Sequence, residues 1–155
     1  LRQHLDGDGG AARQQLAAVH GAERALGELE ARREAARRGL ELGEQEIART
    51  LRDELGLEIT RNWQQQAAQG GVDIVGVPGW AIEVKRAKQW SNDWWTQATA
   101  QAVRTGENPV LLYRLDRKPW RARCCACAVG LHLHFQMEMD LLDWVSVVRE
   151  QLCTA

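Results

Sequence analysis

The 155 residues carry 45 % apolar and 26 % charged side chains, which suits one globular domain with room for a helical appendage. Collagen-like, mucin-like and wholly disordered classes are excluded. No apolar run approaches the roughly 20 residues that a membrane helix needs, and the charged, glycine-bearing first residues predict no signal peptide. The net charge of −1 hides an uneven distribution: residues 57–125 hold ten Lys or Arg against six acids, together with six of the seven tryptophans, while both flanks are acidic. Basic charge interleaved with aromatics is one footprint of nucleic-acid binding, and also of a solvated basic face beside a core tryptophan cluster. Cys124, Cys125 and Cys127 are too crowded for a spaced disulfide framework, so a reducing cytoplasm is expected.

In chain order, residues 1–10 read as a frayed terminus and 11–39 as a weakly amphipathic helix. Its stripe of Leu16, Val19, Leu26 and Leu29 gives way to Arg32, Arg33, Arg37 and Arg38, so it needs a partner to bury one face. A second helix is expected over 42–55, with Ile47, Leu51 and Leu55 on one face and Gly56 as its C-terminal cap. Residues 57–63 alternate like a strand, 64–71 form a polar loop, and 72–75 and 80–85 are short strands joined by a turn at Val77-Pro78-Gly79. A helix capped by Asn92 or Asp93 runs over 94–104 and stops at Gly106. The apolar run 109–113 reads as a buried central strand, 120–128 and 131–137 as further strands turning at Gly130, and 140–152 as a closing helix. The order implies an α/β fold: a mixed sheet flanked by helices, divided as a helical extension over 1–41 and a domain over 42–155.

The chemistry concentrates in residues 70–85. Asp73 lies on one short strand; Glu83 and Lys85 lie two apart on the next and share a face, with Ile82 and Val84 on the other. A reversal at Pro78-Gly79 can bring Asp73 opposite Glu83. Two converging carboxylates repel when ionised, and a hard divalent cation such as Mg²⁺ removes that penalty. Asp73, Glu83 and the carbonyl of Val84 can offer it oxygens. Lys85 is placed to orient a water or to stabilise charge on a phosphate. The bland alternative is a surface acid beside an exposed strand ion pair.

Asp73 followed by Glu83-Val84-Lys85, with Gly70-Gly71 before and the Pro-Gly turn between, resembles the PD-(D/E)XK nuclease motif. The surroundings are similar to archaeal and phage-type Holliday-junction resolvases and their VRR-NUC-like relatives. Trp94-Trp95-x-Gln97 with Gln101, and the run 109–114 ending near Pro119-Trp120, look like phage-encoded members, so the resemblance spans about residues 42–122. It implies a restriction-endonuclease-like core and hydrolysis of DNA phosphodiester bonds with Mg²⁺ or Mn²⁺. The substrate implied is branched DNA, cut by a homodimer because symmetric cuts need two sites. It further implies an acid on the helix before the first strand, where Glu44 falls (Glu46 in the other register), and an active-site glutamine, for which Gln97 fits. Residue 72 is valine where the motif often has proline, and residues 1–40 have no counterpart.

Arg61, Arg86, Lys88 and Arg114 are the expected DNA contacts. Trp90, Trp94 and Trp95 could stack on bases, but as core anchors at least one of Trp94 and Trp95 should be buried. Cys125 and Cys127 with His132 and His134 on facing strands would suit zinc, although C-x-C spacing is atypical and buried thiols give the same pattern. Two other readings compete: a non-catalytic DNA-binding or assembly module on a nuclease fold, and a repair or restriction nuclease acting on linear DNA.

Overall fold

The computed structural model describes residues 8–62 and 71–155, with side chains from residue 13 onward. The expected frayed terminus and polar loop lie largely outside the described residues, as does Trp63 at the end of the first expected strand. The chain divides into two compact units, Leu1–Arg38 and Gly39–Ala155. No helix among the described residues is long and apolar enough to cross a membrane.

Where two helices were expected there is one, α1 (Asp8–Leu55). Glycine costs a helix interior only about 1 kcal/mol, and no proline interrupts the sequence there. Within the first unit, Leu16, Val19, Leu26 and Leu29 are 46–58 % exposed, and Glu34 pairs with Arg37 at 3.0 Å and with Arg38 at 3.5 Å.

In the second unit the end of α1 packs Ile47, Ala48 and Leu51 into the main core. Gly43 lies against Trp120: an added Cβ would stand 3.3 Å from the ring. The chain continues through β1 (Thr60–Arg61), β2 (Ile74–Val75), β3 (Trp80–Ala87), α2 (Asp93–Thr105), β4 (Asn108–Leu115), β5 (Arg121–Cys125), a 3₁₀ turn (Ala126–Val129), β6 (Gln136–Asp140) and α3 (Leu141–Thr154). These strands form one six-stranded sheet in sequential order. Only β3 and β4 are parallel, with Glu83 beside Leu111 and Lys85 beside Tyr113, and α2 is the crossover that a parallel pair requires.

The sheet has two different faces. Trp80, Ile82 and Val84 of β3 join α1 and α3 in the main core, where Trp144 packs edge-on against Trp80 at 5.3 Å. Ala81 clusters with Val72 and Ala102, and Leu111 and Tyr113 with Ala98, so α2 covers the other face. By alternation, Glu83 and Lys85 belong to that α2 face.

Three local expectations need correction. Asn92 occupies the N-cap position of α2 but makes no side-chain cap hydrogen bond; the backbone N–H of Asp93 donates instead to Ser91 Oγ at 3.4 Å. The strand expected to reach residue 128 ends at Cys125, where the 3₁₀ turn begins. The strand expected over 131–137 pairs only from Gln136. The apolar alternation Leu131, Leu133, Phe135, Met137, Met139 is unbroken, but only the two methionines pack on the core, and the first three stay 45–55 % exposed. Along the paired stretch Arg123 meets Glu138 at 2.5 Å and Arg121 meets Asp140.

Candidate active site

β2 is only two residues long, and this shapes the site. The N–H of Asp73 donates to the Ile82 carbonyl at 2.9 Å, and two residues further along that edge of β3 Asp73's own side chain takes over. Asp73 Oδ2 accepts the Val84 N–H at 2.7 Å. Successive residues of a strand send backbone groups to alternate edges, so the Val84 carbonyl shares the edge where Asp73 stands.

Two nearby acids have cationic partners. Arg61 donates to Glu44 Oε2 through Nε at 2.8 Å and Nη2 at 2.5 Å, and both residues are buried. Lys85 Nζ lies 2.5 Å from Glu83 Oε1. Among the described residues Asp73 has no ion-pair partner and the buried Glu83 Oε2 has no hydrogen-bond partner. Burial, the neighbouring Glu83 and the more distant Glu44 push the Asp73 carboxyl up to about 8, against the opposing pull of the Val84 N–H and Lys85. The group of three acids and two cations therefore carries one negative charge too many when fully ionised.

The sequence placed Asp73, Glu83, Lys85 and the Val84 backbone together, and the structure brings them together. It also distinguishes the two helix acids. Glu44 turns inward to Arg61, while Glu46 turns outward, accepting from Arg114 Nη1 and Trp120 Nε1, both at 2.9 Å. Gln97 is exposed on α2. One turn later Gln101 is buried on the helix covering the Glu83 face, with Oε1 unpartnered among the described residues. The i, i+4 spacing was the signal; which of the pair points inward depends on how α2 docks.

The expected DNA contacts divide. Arg61 is not on the surface: it is 8 % exposed and its guanidinium neutralises Glu44, because a buried carboxylate needs a cation more than the surface needs an arginine. Arg114 is engaged by Glu46 and lies over the Trp120 ring at 5.1 Å. Arg86 is half-buried, with its Cβ beside Gly43, and Lys88 is exposed. Trp94 and Trp95 are both half-buried, and Trp90 packs on Trp94 at 5.1 Å and Tyr113 at 4.9 Å with Arg123 over its ring at 4.3 Å. These tryptophans anchor α2 to β4.

Residues 37–125, more than half of the chain, match a family described as "phage putative PDDEXK endonuclease". The chain belongs to that family. Its fold is accordingly the mixed α/β sheet of the PD-(D/E)XK nucleases, and its class is nuclease. Among solved structures, the Holliday junction resolvase Hjc of Archaeoglobus fulgidus is similar at 23 % identity and a TM-score of 0.42, over 64 % of this chain and 85 % of that one. No curated protein matches the chain.

Proposed function

We propose that this nuclease is a divalent-metal-dependent endonuclease that hydrolyses DNA phosphodiester bonds, with branched, Holliday-junction-like DNA as substrate. One observation carries the metal: among the described residues Asp73 has no ion-pair partner, and the buried Glu83 Oε2 beside it has no hydrogen-bond partner. An orphaned carboxylate oxygen inside a protein is costly, and a cation between the two acids removes both penalties. Asp73 and Glu83, with the Val84 carbonyl on the same edge, would hold Mg²⁺ or Mn²⁺ as hard oxygen donors. Bound there, the ion would supply Lewis acidity at the scissile phosphate and a lowered pKa for a water.

The protein's own groups do the rest. Lys85, held by Glu83, orients the attacking water and stabilises charge on the phosphate oxygens. Glu44, fixed by Arg61, adds negative potential toward Asp73 and so strengthens its hold on a cation. Gln101 offers a buried amide from α2, and this favours it over Gln97 as the glutamine of the site. In the hydrolysis a water oxygen bonds to phosphorus, one ester P–O bond breaks, and a phosphate monoester and a hydroxyl result. Arg86 and Lys88 are the basic groups best placed beside β3 to meet the DNA backbone.

Branched DNA as substrate, a homodimer making paired cuts, a phage origin, and a helical extension over 1–41 joined to a nuclease domain over 42–155 rest on the resemblance of the motifs. The test is incubation of four-way-junction and linear duplex DNA with Mg²⁺, with EDTA, and with Glu83→Ala. Metal-dependent nicking of the junction that disappears in the variant is expected. DNA binding with no cleavage in any divalent metal would favour a binding module; equal rates on linear DNA would remove the branched substrate.

A further inference from the structure

Away from the acids, at the end of β5, Cys125, Cys127 and His134 bring their ligand atoms within 4.8 Å of one another. Cys124 faces the core and Ala126 is fully buried, so the two thiols between and beyond them turn to the same side, where their sulfurs approach to 2.7 Å. His132, which the sequence also offered, lies outside this group.

The backbone holds the three residues in place before any ligand arrives. Ala126, between the two cysteines, donates its N–H to the Phe135 carbonyl at 2.9 Å and accepts the Leu131 N–H at 3.1 Å. Both ends of the segment carrying His134 are thus tied to the residue flanked by the thiols. The 3₁₀ turn bearing Cys127 is tied in turn to α3, because Gln151 Nε2 donates to the Ala128 carbonyl at 2.8 Å while its Oε1 accepts from Trp80 Nε1 at 3.1 Å.

We infer that Cys125, Cys127 and His134 form a second metal site, for Zn²⁺, which ties the 131–135 segment to the end of β5. Two thiolates and an imidazole are the donors zinc prefers and Mg²⁺ does not. A tetrahedral centre with bonds of about 2.3 Å to sulfur and 2.0–2.1 Å to nitrogen sets its ligand atoms about 3.6–3.8 Å apart. The sulfurs, 2.7 Å apart, need to open by roughly an ångström and the imidazole to close by at most about as much, which side-chain rotation of the exposed Cys127 and His134 can provide. Three protein ligands leave the fourth position to water. Each thiol gives up its proton to solvent on binding and no electrons move, so the site needs a reducing medium but no redox partner.

The test uses the whole chain, reduced and stripped with a chelator. Titration with Zn²⁺ is expected to bind one equivalent per chain, and Co²⁺ in its place to give the near-ultraviolet thiolate-to-cobalt absorption that oxygen ligands cannot produce. That absorption keeps this site distinguishable from the acidic one, so the inference can fail while the nuclease reading stands, and the reverse. Cys127→Ser and His134→Ala, both at exposed positions, should lose the stoichiometric binding while their circular dichroism melts in chelator match wild type; Cys153→Ser should retain it. Absence of a thiolate–cobalt band in the reduced wild type, or full binding by Cys127→Ser, would overturn the site.

Discussion

Replacing Asp73 with asparagine tests the charge imbalance directly. The amide oxygen can still accept the Val84 N–H, so the change removes charge and little else. In the metal-free protein the Asp73 carboxyl titrates at about 8 instead of the ordinary 3.8. Between those values the folded chain holds a proton that the unfolded chain has released, so stability falls as pH rises from about 4 to about 8 and is level above that. At 1.36 kcal/mol per unit the shift sets a ceiling of about 6 kcal/mol. Relaxation and water entry reduce the expected penalty to about 2 kcal/mol, or roughly 4–8 °C in Tm. In EDTA, Asp73→Asn should therefore melt higher than wild type at pH 8, with the advantage shrinking toward pH 5. Adding Mg²⁺ at pH 8 should raise the wild-type Tm and leave the variant unmoved. A variant that is less stable than wild type at pH 8, or equally shifted at pH 5 and 8, would refute the reasoning.

Other outcomes follow from the same geometry. Lys85→Met should lower junction cleavage about 10²–10³-fold while gel-shift affinity in Ca²⁺ stays near wild type, since the lysine acts on developing charge. Arg61→Met should cost about 3–5 kcal/mol in denaturant melts by stranding Glu44, and Glu44→Leu in the same chain should recover most of it; a selective loss of DNA affinity without loss of stability would return Arg61 to the surface. Gly76→Ala should be strongly destabilising in the same melts, by about 2 kcal/mol or more, because residue 76 has φ of +112° and an added Cβ would stand 2.3 Å from the Glu58 carbonyl oxygen. Gln101→Ala should reduce cleavage more than Gln97→Ala when the two are assayed side by side.

Periodicity and motif spacing were enough to determine that a mixed sheet with helices on its faces carries Asp73, Glu83 and Lys85 at one place. Strand alternation and a proline–glycine reversal are local consequences of covalent geometry, and Gly106 ending α2 at φ of +71° belongs to the same class. Partner choice was not local. Glu44 and Glu46 have the same sequence signature, and only the docking of α1 on the sheet turned one toward Arg61 and the other toward Arg114 and Trp120. Arg61 looked like a surface cation because its neighbour across the fold, 17 residues away, was invisible along the chain. The alternation from Leu131 to Met139 fixed which side chains share a face, but β6 begins at Gln136 because pairing on β5 stops at Cys125, where the chain turns. Sequence sets the repeat and chemistry of each element; burial, counter-ions and strand ends are set by which elements meet, because desolvation and pairing act across space.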